Sequence, residues 1–139
     1  MKKTKSLGYI LVASILLAAI SLSGTAVGEI KGGGKSARMG MLSGFKGHNA
    51  SGKVSITRDD KGNRYLDLAG IAVDKVPDGW VYLAKGGDHT SGVELGILKQ
   101  FKGDVRFPIP GDVDTDAYDS VVIWCRKFDV GIGRAFFDK

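Results

Sequence analysis

Few side chains in this 139-residue chain can carry chemistry. There is one cysteine, Cys125, and there are two histidines, His48 and His89. Cys125 closes the apolar run Val121-Val122-Ile123-Trp124-Cys125. Such a thiol is either a redox group or soft ligand to a metal or haem, or a small apolar residue packed in a core. His48 lies in Gly47-His48-Asn49-Ala50-Ser51-Gly52, and His89 in Gly86-Gly87-Asp88-His89-Thr90-Ser91-Gly92. Both segments suit solvated loop histidines. The sharper alternative brings His48 to Cys125, and Met39 or Met41 would then complete a copper-type donor set. Haem without covalent attachment would need an axial His, Met or Cys, and no motif asks for one.

Two further groups stand out. Asp112, Asp114 and Asp116 alternate as calcium-loop ligands do. The sixth position of that loop is Ala117 rather than Gly, and the twelfth is Ile123 rather than Glu. The EF-hand pattern therefore fails, leaving a solvated acidic loop or a weak calcium site. Trp80, Tyr82, Trp124 and Phe128 are either a carbohydrate- or aromatic-binding face or part of the core.

Several classes are excluded. A single cysteine makes no intramolecular disulfide, no Cys-rich zinc site and no Cys-ligated iron–sulfur cluster. Neither Gly-x-Ser-x-Gly nor His-Glu-x-x-His occurs, and no nucleotide loop is present. The formal charge is +5, from 20 Lys+Arg against 15 Asp+Glu. Lys2, Lys3 and Lys5 fall in the first six residues, so 17 cations face 15 acids from Glu29 onward. That balance gives little support to nucleic-acid binding.

Short β-strands must position these groups. Val54 and Ile56 alternate with Lys53, Ser55 and Thr57, the period of a half-buried strand. Asp59–Asn63 has hairpin-turn composition. Further strands are expected over 64–71, 80–84, 93–98, 104–109, 120–126 and 133–137, with 37–45 opening the domain and 85–92 a polar loop. Pro108 and Pro110 place their segment at a sheet edge. On strand 120–126, Val121, Ile123 and Cys125 share one face, and Val122, Trp124 and Arg126 share the other. The expected class is all-β: a sandwich or small barrel of seven to eight short, mostly antiparallel strands.

Residues 1–28 have the order of a secretory signal peptide: a basic start, the apolar stretch 7–22, then small residues to Gly28. Cleavage before Glu29 or before Val27 suits it, and an uncleaved anchor is the alternative. Residues 29–38 read as a Gly-rich linker and 39–139 as the β domain. The expected location is extracytoplasmic, periplasmic or secreted, with membrane contact only through an uncleaved leader.

Several segments together resemble the DM-thirteen domain, or electron-transfer DM domain. They are Gly44–Val54, Tyr65–Leu68, Pro77–Leu83, Glu94–Leu98 and Tyr118–Arg126. The Trp124-Cys125 pair is the most specific piece. The resemblance implies a redox or electron-transfer role centred on Cys125, as a bare thiol or a ligand, with His48 as gate or second ligand and a redox partner. The sequence departs from the family at Ala69-Gly70-Ile71, where an aromatic tends to stand. The alternative function is a non-catalytic binding module with a structural cysteine, which uses the loops at one end of the domain to meet a surface protein.

Overall fold

The computed structural model describes residues 38–139; the leader and most of the linker lie outside the described residues. Eight strands form one antiparallel sheet. They are β1 (Arg38–Gly44), β2 (Ala50–Arg58), β3 (Arg64–Val73), β4 (Gly79–Lys85), β5 (Asp88–Ile97), β6 (Lys102–Ile109), β7 (Ser120–Cys125) and β8 (Val130–Phe136). A 3-10 turn, Thr115–Ala117, precedes β7. The spatial order is β5-β4-β7-β8-β1-β2-β3-β6.

The sheet curls into a half-barrel. Its two edges approach where Gly96 of β5 faces Phe107 of β6; a Cβ on Gly96 would lie 3.1 Å from the Phe107 ring. The expected all-β class therefore holds, in the form of one curled sheet. Pro108 falls on edge strand β6, where a missing N–H costs no ladder bond.

Alternation builds the interior. Val54 and Ile56 of β2, Leu66 and Leu68 of β3, Val81 and Leu83 of β4, and Val121, Ile123 and Cys125 of β7 point into one apolar core. Ile132 and Ala135 of β8 join them. Burying each large aliphatic side chain contributes about 1.5–3 kcal/mol. Strand β8 starts three residues before its expected start. Gly131 and Gly133 hide Val130–Ile132 from a propensity argument, yet Val130 and Gly131 pair with Cys125 and Trp124 of β7, with Ile132 at the bulge.

The β2–β3 turn is held by Asp59. Its carboxylate accepts from the Lys61 and Asn63 backbone N–H groups, from Asn63 Nδ2 and from the Tyr65 hydroxyl. The Asn63 side-chain bond is the largest influence that lowers the carboxyl, and its pKa falls to about 2. A depressed pKa stabilises the fold above the ordinary aspartate range, and that contribution is lost as pH falls through the folded value. The Asp59 carboxyl should therefore titrate near pH 2 in a carbon-detected NMR experiment. A midpoint at the ordinary value of 3.8 would show that the turn does not hold it.

Candidate functional site

Cys125 is the last residue of β7, paired to Gly79 on β4 and Val130 on β8. Its side chain is fully buried on the inner face, 0% exposed. The expectation of an inward thiol near a strand end is met. The loops that close this end are Asp74–Asp78, between β3 and β4, and Leu98–Phe101, between β5 and β6. Gly79, directly opposite Cys125, faces Val76, Leu98 and Phe101. Backbone bonds seal the cap: Leu98 N–H to Gly79 O at 2.7 Å, Val73 N–H to Phe101 O at 2.9 Å and Arg126 N–H to Asp78 O at 3.0 Å.

The back of the same strand is covered differently. Trp80 and Trp124 are cross-strand partners on the outer face, and Tyr82 and Val122 follow one rung along. His89 stacks on Trp124, with ring centroids 3.7 Å apart and an interplanar angle of 18°. It also meets the Tyr82 ring edge-on. Arg126 lies over the Trp80 ring at 3.7 Å, donates to the Tyr82 hydroxyl and pairs with Glu94. Alternation anticipates the side of Arg126: it is held on the outer face, away from the thiol.

The β4–β5 hairpin delivers His89 through an irregular register between Leu83↔Val93 and Lys85↔Asp88. The Ser120 hydroxyl anchors the fold-over, accepting from Gly87 N–H and donating to Ala84 O. His89 was expected in a solvated loop, and sequence offers no signal for a bulge that lays it on Trp124. Of the four aromatics considered together, Trp80, Tyr82 and Trp124 do converge. Phe128 is 62% exposed in the turn after β7. Phe45 crosses to this outer layer instead, because Gly131 leaves space for its ring; any Cβ there would collide with it.

The other candidates are placed as follows. His48, in the β1–β2 loop, is at the same end of the sheet as Cys125, as the antiparallel order β7-β8-β1 requires. Its nearest charged partner is Asp74, with Nδ1 3.8 Å from Oδ2, and it is not part of the core around Cys125. Met39 and Met41 are exposed on the outside of β1. The sheet thus stands between both methionines and the Cys125 thiol, and the copper-type set is not assembled. Haem ligation by Cys125 fits no better, since packed core residues surround the thiol's face of β7. Asp114 caps the 3-10 turn by accepting from Asp116 N–H, while Asp112 and Asp116 are exposed. Among the described residues, no three His, Cys, Asp or Glu side chains are grouped to hold a metal ion.

The sequence model described as electron transfer DM13 matches residues 42–137. The chain belongs to this family. The match spans all eight strands of the DM13 domain in whole or in part, including Trp124-Cys125. No curated protein and no solved structure matches the chain. A redox-related role for this DM13 domain follows from the family.

Proposed function

We propose that this DM13 domain is an extracytoplasmic electron-transfer module whose redox group is the Cys125 thiol itself. The observation that carries the reading is its position. Cys125 is the only cysteine, and it lies on the last rung of the half-barrel beneath a two-loop cap. Local opening of end loops is less costly than global unfolding. Once exposed and deprotonated, a lone thiol can attack a disulfide of a partner. A sulfur–sulfur bond forms to Cys125, the partner's disulfide breaks, and the departing sulfur keeps the electron pair. The extracytoplasmic location rests on the signal-peptide pattern of residues 1–28, and a mature N-terminus at Glu29 or Val27 would support it.

A second reading has its own observation. Full burial suits a structural cysteine equally, which would leave a binding module without redox chemistry. Reaction of the native protein with a thiol reagent over a urea series separates the two. Cap opening gives modification that is nearly independent of urea at low concentration, and Phe101→Ala should speed it several-fold. Modification that tracks global unfolding at every urea concentration, and is unmoved by Phe101→Ala beyond its effect on stability, selects the structural cysteine.

A further inference from the structure

We propose that Arg126 is the positioning residue of the redox site, a latch that sets how often the Cys125 thiol is uncovered. The inference rests on the assignment of Cys125 as the redox group and adds what governs access to it. Arg126 does not touch the thiol, because its side chain lies on the opposite face of the sheet, over Trp80. It acts through the end of β7 and the cap.

The latch begins in the backbone. Arg126 follows Cys125 directly, and its N–H donates to Asp78 O at 3.0 Å, one bond beyond the last β4–β7 rung, Cys125↔Gly79. Asp78 ends the cap loop Asp74–Asp78, which lays Val76 against Gly79. The Asp78 carboxylate accepts from Trp80 Nε1 at 2.7 Å. The Arg126 guanidinium lies on that same indole, 3.7 Å from the ring centroid. Cap loop, Trp80 and Arg126 thus form a closed circuit of one backbone bond and two side-chain contacts.

The remaining contacts tie this circuit to the sheet. Arg126 Nε and Nη2 donate to the Tyr82 hydroxyl at 3.1 and 3.0 Å, and the guanidinium pairs with Glu94 of β5. The end of β7, β4 and β5 therefore share one side chain. Beyond it the chain turns at once: Asp129 N–H donates to Arg126 O at 3.2 Å, with Asp129 at φ 53°. A planar guanidinium stacks, donates and pairs at the same time, which an ammonium does not. Uncovering the thiol requires the cap loop to part from Gly79, and Arg126 resists that parting through Asp78 and Trp80. Losing the guanidinium leaves the N–H bond in place but releases the indole and Glu94. The closed cap then loses stability relative to the open one, and the core around Cys125 is untouched.

The test alkylates Cys125 in the folded wild-type domain with neutral iodoacetamide over a urea series. The thiolate sulfur displaces iodide, and intact mass reads the adduct. Arg126→Gln should raise the rate in the urea-independent region about tenfold, the scale of a lost cation–π contact and ion pair together. Glu94→Gln alters only an exposed side chain and should raise it about two- to threefold. Arg106→Gln is the control. It removes the same kind of clasp, an ion pair with Asp67 and a stack on Tyr65, from the outer face of β3 and β6. It should lower the urea midpoint without moving the low-urea rate. The latch is overturned if Arg126→Gln reacts as wild type in that region, or if Arg106→Gln speeds the reaction as much. Should Arg126→Gln not fold, Glu94→Gln reacting as wild type overturns it. The redox reading fails separately. A wild type that reacts only on global unfolding, beside an Arg126→Gln that reacts while folded, removes the resting access which that reading needs and retains the latch. Reaction of both only on unfolding overturns both.

Discussion

Cys125→Ser is expected to yield a folded domain that cannot exchange with disulfides. The substitution keeps the size of the side chain but places a hydroxyl in a fully buried apolar position. An unpartnered hydroxyl costs about 1–3 kcal/mol. A urea midpoint lowered by that amount, with unchanged slope, is the stability result. Cys125→Ala leaves no polar atom and separates the two effects: it should also fold, and should also be inert toward disulfides. Either variant retaining the wild type's disulfide exchange would remove Cys125 from the redox role.

Trp124→Ala should be among the more damaging single changes on the outer face. The indole carries the His89 stack and covers the back of β7 beside Trp80 and Tyr82. Its removal leaves His89 without its stacked partner and exposes Val122. Truncating a tryptophan in such a layer costs about 3 kcal/mol or somewhat more. Because Trp124 and Cys125 are consecutive, the lost layer should also loosen the end of β7. Chemical denaturation reads the first effect, and faster native thiol modification reads the second. A loss below about 1 kcal/mol, as for an ordinary surface change, would show that the layer is not a second core.

Period-two alternation made the inner face legible. It assigned Val54, Ile56, Val121, Ile123 and Cys125 to one interior and Trp124 and Arg126 to the other side, because a strand has only two faces. Proline chemistry put Pro108 at an edge for a similarly local reason. What local pattern does not contain is irregular register. The slip that swings His89 onto Trp124 arises within the β4–β5 hairpin, and the one that inserts Gly70 between Leu68 and Ile71 arises where β3 pairs with β6, far along the chain. Val130 and Gly131 are strand because they pair with Cys125 and Trp124 of β7 rather than by composition, and Ile132 is the residue bulged between the Trp124 and Ile123 rungs.

The assignment of Cys125 as redox centre is tested most directly by equilibrating the native wild-type domain with graded mixtures of reduced and oxidised glutathione. Intact mass then reads the state of the protein, and amide NMR confirms that it stays folded. The redox assignment predicts a single glutathione adduct on the folded protein, reversed by excess reduced glutathione and absent in Cys125→Ser. A thiol that stays unmodified across the whole series until urea unfolds the domain would contradict it, and would leave Cys125 as core packing.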